Sequence, residues 1–109
     1  MILIIGGYAQ GKQKYARDNY RDADKRMLFL DGIARESFDK GEDYGEFTSR
    51  LLRENADAVI ITDETGCGII PAVKEERLFR EWLGRAQCNI AAASDEVIKV
   101  TCGLGVKIK

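Results

Sequence analysis

Along this chain the apolar positions fall into short dense runs separated by longer stretches in which they recur every three or four residues. Met1 to Ile5, Met27 to Leu30, Ala58 to Ile61 and Val97 to Val100 are the dense runs, and a glycine or an acid follows the first three within two positions. That pattern predicts four strands. The first and third runs are almost continuously apolar instead of alternating, as expected of strands buried on both faces of a parallel sheet. After Gly103-Leu104-Gly105 the chain alternates through Val106-Lys107-Ile108-Lys109, which predicts a short antiparallel edge strand with one wet face.

The periodic stretches run from Lys12 to about Tyr20, from Asp43 to Asn55 and from about Val73 to Ala93. Asp43-x-x-Glu46 opens the second in the manner of a capping box, with Tyr44, Phe47, Leu51 and Leu52 on one face. The third carries Leu78, Phe79, Trp82, Leu83, Ala86, Ile90 and Ala93 on its apolar face, with Pro71 just ahead of it, where proline leads into a helix. The polar stretch from Asp39 to Asp43 reads as a loop. Strands therefore alternate with helices, and the predicted fold is α/β: a P-loop NTPase-like three-layer sandwich with a mainly parallel central sheet of about four strands plus the C-terminal edge strand.

Length bounds this to one domain, residues 1–109, because 109 residues support a single core and no more. Seventeen basic against 18 acidic side chains give a net charge of −1, so no global basic field favours nucleic acid. The chain has no histidine, which removes imidazole bases, nucleophiles and metal ligands at once. Cys67, Cys88 and Cys102 show no CxxC spacing, so neither a disulfide framework nor a zinc site is expected. No apolar stretch is long enough to span a membrane, and the N-terminal run lacks the basic flank of a signal sequence. A cytoplasmic protein acting without membrane or nucleic-acid partners is the expectation.

Candidate chemistry begins directly after the first strand. Gly6-Gly7-Tyr8-Ala9-Gln10-Gly11-Lys12-Gln13 matches GxxxxGK, with Gln13 where Ser or Thr usually follows the lysine. Glycines let backbone N–H groups wrap a phosphate, the helix N-terminus holds the anion and the lysine reaches the outer phosphates. The alternative is a plain β-to-α turn in which the glycines serve packing alone. Gln13 is a poor substitute for a direct Mg²⁺ ligand, since its neutral carboxamide suits a tight octahedral shell badly. Mg²⁺ would then be weakly held, with phosphate binding less affected than transfer.

Leu28-Phe29-Leu30-Asp31 has the form of a strand ending in a metal-binding carboxylate, although the same Asp31 could simply open an Asp-Gly turn. Thr62-Asp63-Glu64-Thr65-Gly66-Cys67-Gly68 places more acids and glycines at the end of the third strand. Cys67 lies in that loop without a basic partner evident in the sequence, so a small residue between glycines is its preferred reading.

These residues, in this order, resemble the adenosylcobinamide kinase/adenosylcobinamide-phosphate guanylyltransferase family of cobalamin biosynthesis. Ile60 to Pro71 is similar to that family's V-T-N-E-V-G-x-G-I-V-P, and Ala91 to Val97 with Gly103 to Lys109 resembles its A-A-x-A-D-E-V and G-x-G-V-K-I-K ending. Arg77, Phe79, Arg80, Gly84 and Arg85 match its long helix, Leu3 to Lys12 resembles its L-V-T-G-G-x-R-S-G-K, and Leu30 to Ile33 looks like its V-D-C-L. Among the departures, Gln10 and Gln13 stand for serines, Asp63 stands for an asparagine, and Gln87-Cys88 replaces an Asn-Gln pair. The segment that holds the family's guanylyl-accepting histidine is absent.

The resemblance carries over Gly6, Gly7, Gly11 and Lys12 as phosphate-binding, Asp31 as the metal residue and Glu64 near the site. With the GxxxxGK loop, the expected site is catalytic Lys12 and Asp31 and nucleotide-binding Gly6, Gly7, Tyr8, Ala9, Gln10, Gly11, Lys12, Gln13 and Glu64. The resemblance implies ATP or GTP with Mg²⁺ as cofactors, a corrinoid as a further partner and a homo-oligomer. Two functions remain open. One is phosphoryl transfer from ATP or GTP to a cobinamide-like alcohol, without guanylyltransferase activity. The other is a non-catalytic relative that senses nucleotide or corrinoid, or assembles with a full-length enzyme.

Overall fold

The computed structural model describes residues 1–64 and 73–109. The elements run β1 (Ile2–Gly6), α1 (Lys12–Asn19), α2 (Ala23–Arg26), β2 (Met27–Phe29), α3 (Leu30–Asp39), α4 (Tyr44–Glu54), β3 (Val59–Asp63), α5 (Lys74–Ala93), β4 (Glu96–Thr101) and β5 (Leu104–Lys107). One sheet holds all five strands in the order β2-β3-β1-β4-β5. β1 pairs in parallel with β3 and β4, β2 with β3 likewise, and only β4 and β5 run antiparallel. The α/β sandwich is as expected, with β1 at the centre.

Alternation along β1 explains the layers. Leu3 faces one core with Leu30, Ala34, Phe47, Ile60, Leu83, Ala86 and Ile90, contributed by α3, α4, α5 and β3. Ile2 and Ile4 face the other with Ala16, Ala23, Val59, Ile61, Ile98 and Val100, under α1 and α2. Apolar side chains on both faces are what continuous Ile-Leu-Ile and Val-Ile-Ile runs require, since neither face of such a strand can meet water cheaply.

Helix α4 starts where its cap dictates: the Asp43 carboxylate accepts from the N–H groups of Gly45 at 2.9 Å and Glu46 at 3.2 Å, satisfying two first-turn donors. Phe47 and Leu51 then lie buried against α5, whose Trp82 packs on Phe47 and donates its indole N–H to the Glu42 carbonyl at 3.0 Å.

The structure departs from the sequence reading at three places. β2 stops at Phe29, and Leu30 to Asp39 form a helix that the pattern did not predict. Asp31 therefore sits in the first turn of α3 instead of ending a strand. The short α2 was likewise not expected. On β5 both faces are exposed, with Leu104 and Val106 largely in solvent, because β5 packs chiefly on β4 alone. Alternation there does not mark a half-buried strand. Thr65, Gly66, Cys67, Gly68 and Pro71 lie outside the described residues.

Two substitutions separate cap from core. Asp43→Ala should cost about 1 kcal/mol and Phe47→Ala about 3–5 kcal/mol, each read from the urea midpoint. Equal losses would mean that α4 is not anchored through Phe47.

Candidate functional site

At the C-terminal ends of β1 and β3 the chain brings a glycine loop, a lysine and two acids together. β1 ends at Gly6, where a Cβ would stand 2.3 Å from the Val100 carbonyl oxygen of β4, so no side chain fits without moving backbone. The loop closes at Gly11, which caps α1 with φ 89°, in the left-handed region that glycine adopts without strain. Ala9 shares that region with φ 56°, at some conformational cost.

α1 opens with no side-chain cap and no acid in its first turn. Its first N–H groups have no partner within the helix by geometry, and the helix dipole adds partial positive charge. Lys12 follows at once. Its ammonium, on a side chain only 7% exposed, donates to the Gly6 carbonyl at 3.1 Å, the Gly7 carbonyl at 2.7 Å and Asp63 Oδ1 at 2.8 Å. The lysine thus folds back across its own loop to the end of β3.

Asp31 reaches the same place from α3. Its Oδ1 accepts from Thr62 Oγ1 at 2.5 Å and its Oδ2 from the Asp63 backbone N–H at 3.2 Å. Thr62 is in turn held by Gln87 of α5, whose Nε2 donates to Thr62 Oγ1 at 2.7 Å and to the Asp63 carbonyl at 2.8 Å. The Asp63 carbonyl can only accept, which fixes the orientation of the amide. With Thr62 Oγ1 receiving from Gln87, its single proton is directed at Asp31. Burial pushes the Asp31 carboxyl up from the ordinary aspartate value, and the charge of Asp63 adds to that; the hydrogen bonds from Thr62 and Asp63 and the charge of Lys12 oppose it.

The other expected residues are distributed more widely. Glu64 donates its backbone N–H to the Gly6 carbonyl at 3.0 Å, but its carboxylate pairs with Lys99 of β4 at 3.2 Å. Gln10 ties the loop to the β4–β5 turn: Oε1 accepts from the Cys102 N–H at 2.7 Å and its carbonyl from the Gly103 N–H at 2.8 Å. Tyr8 projects into solvent. Gln13 is exposed on α1, its Oε1 accepting from Arg17 at 3.5 Å. Asp63, Thr62 and Gln87 were not among the expected site residues. Their signal is polarity in the wrong place: Thr62 follows two isoleucines in a buried strand, and Gln87 lies on the apolar face of α5 beside Leu83, Ala86 and Ile90.

The donor set suits a polyphosphate and a hard cation. Backbone amides at the α1 N-terminus and Lys12 fit phosphate oxygens, while Asp31 and Asp63 offer the carboxylate oxygens that Mg²⁺ prefers. Among the described residues no group of three or more acidic, histidine or cysteine side chains is placed to hold a metal by itself. None of their helices is long and apolar enough to cross a membrane.

Residues 33–108 match the family described as cobinamide kinase / cobinamide phosphate guanyltransferase. The chain belongs to this family. It is 48% identical over 54 residues to the bifunctional adenosylcobalamin biosynthesis protein CobU of Salmonella typhimurium, and 46% identical over 54 residues to the protein of the same name from Escherichia coli. Each of these stretches covers 50% of this chain and 30% of the relative. The family match contains Thr62, Asp63, Glu64 and Gln87, and it begins after the Gly6 to Gln13 loop and Asp31.

Two predictions follow from the geometry. Gly6→Ala forces the β1–β4 contact apart, so the variant should unfold at clearly lower urea than the native chain; an unchanged midpoint would mean that the contact with Val100 yields freely. For Asp31, a raised folded-state pKa means that the folded chain holds this proton more tightly than the unfolded one, so ionisation erodes stability as pH rises from the ordinary aspartate value of about 3.9. Relative to the native chain, Asp31→Asn should therefore gain stability as pH rises from the ordinary aspartate value through the raised pKa of the folded chain, and parallel stability curves would contradict the buried placement of this carboxyl.

Proposed function

We propose that this chain binds a nucleoside triphosphate at the Gly6 to Gln13 loop and transfers its terminal phosphoryl group to the alcohol of a cobinamide-like corrinoid. The observation that carries the reading is Lys12, held at the mouth of a glycine loop beside the uncapped N-terminus of α1. Membership of the cobinamide kinase family supports the choice of acceptor, and the names of the relatives in cobalamin biosynthesis agree with it.

Such a reaction asks little covalent chemistry of the protein. The acceptor oxygen bonds to the terminal phosphorus as the β–γ bridging bond breaks, the nucleoside diphosphate leaves and the alcohol proton passes to solvent. Lys12 and the α1 amides offset phosphate charge, and Asp31, steadied by Thr62, is the carboxylate to hold a metal. A bound Mg²⁺ supplies charge neutralisation and alignment of the phosphates. Positioning accounts for most of the catalytic contribution. Transfer of a guanylyl group is not part of this function, because no imidazole exists in these 109 residues to accept it.

Gln13 favours a second reading. Its side chain faces Arg17 from an exposed position on α1, so the usual direct metal ligand is missing, and a nucleotide- or corrinoid-sensing relative without turnover would have the same loop. Incubation with ATP or GTP, Mg²⁺ and cobinamide separates the two: a phosphorylated corrinoid seen by mass spectrometry supports transfer, and nucleotide binding without product supports sensing.

Lys12→Ala should weaken ATP and GTP binding by about tenfold or more in calorimetry, on the scale of one charge-assisted contact. Undiminished binding would remove the loop from the site. Incubation with GTP should leave the intact mass of the protein unchanged, whereas a stable guanylyl adduct would show a nucleophile other than histidine at work.

A further inference from the structure

Lys12 is fully committed. An ammonium carries three donors, and here Gly6, Gly7 and Asp63 take them. A phosphate oxygen can bind this ammonium only by displacing one of the three. Two are carbonyls of the loop itself, so their loss would open the loop that is meant to hold the ligand. The third is a carboxylate on a side chain 49% exposed, and it can leave.

The backbone beneath that carboxylate is fixed. The Asp63 N–H donates to Asp31 and its carbonyl accepts from Gln87, so only the side chain is free to turn. If it turns away, the charge remains nearby: Asp31 stands on one side, and Glu64 on the next residue is already balanced by Lys99. Lys12 then faces two carboxylates, Asp31 and Asp63, before any anionic ligand arrives.

We propose that Asp63 is a specificity-determining counter-ion, competing with phosphate for Lys12 so that the loop accepts a polyphosphate as its divalent-metal complex and rejects the free anion. The inference rests on the nucleotide-binding reading given above. A divalent cation bound with the phosphates gives Asp63 a second positive partner and so releases Lys12. Metal dependence would thereby come from a carboxylate on β3, although the position after Lys12 carries no hydroxyl.

Calorimetric titration with ATP, and separately with inorganic tripolyphosphate, in EDTA and in Mg²⁺ tests this on the native chain, Asp63→Asn and Asp63→Glu. The native chain should bind each ligand at least about tenfold more tightly with Mg²⁺ than in EDTA. Asp63→Asn should bind the metal-free ligands about tenfold more tightly than the native chain, with the Mg²⁺ advantage largely gone, whereas Asp63→Glu should keep it. Metal-free affinity that stays level or falls in Asp63→Asn overturns the proposal. So does a native chain that binds free and metal-bound ATP alike, a measurement that stands even if the variants do not fold. Absence of binding by every form in both buffers would instead reject the nucleotide site itself, and this role with it.

Discussion

A buried ammonium sets the terms for the rest of the site. Removing Lys12 from water is costly unless each of its donors finds an acceptor, and the three acceptors come from two separate parts of the chain: the loop after β1 and the end of β3. Satisfying that one charge brings strands distant in sequence to a common edge and requires Gly6 to lie against Val100 without a side chain. The parallel pairing of β1 with β3, in which Gly6 lies opposite Asp63, is the register that puts the carboxylate within reach.

Around that charge the acids have different supports. Asp31 is approached by donors on both oxygens, and its environment favours the neutral form more than water does. Asp63 has its backbone clamped and its carboxylate half in solvent. Two aspartates at one strand edge therefore divide between a held group and a half-exposed one. Gln87 underlies both, since a single amide from α5 orders the Thr62 hydroxyl and the Asp63 carbonyl. Family membership through residues 33–108 covers Thr62, Asp63 and Gln87, while the loop and Asp31 stand on geometry.

Much of this was legible in the residues. Continuous apolar runs located β1 and β3, the Asp43 cap located α4, and the glycine spacing located the loop. α3 was missed because Met27 to Leu30 is apolar enough to read as one strand and Asp31-Gly32 looks like its end. The competing signal was present: Leu30, Ile33, Ala34, Ser37 and Phe38 recur at helical spacing, and Leu30, Ala34 and Ser37 are buried. The partners of Asp31 were harder to see, since a threonine in a strand and a glutamine in a helix acquire meaning only when the two elements are packed together. No local pattern specifies that Asp63 turns toward Lys12.

The two bonds from Gln10 to the β4–β5 turn act as a non-covalent cross-link between residues 92 apart in the chain. Held at its midpoint as well as at both ends, the loop has fewer conformations left to lose when a ligand arrives, so part of the entropy of ordering is already spent during folding. The stability of the C-terminal hairpin and the affinity of the loop are thus linked quantities: fraying of β5 would return that entropy to the loop and weaken whatever the loop holds.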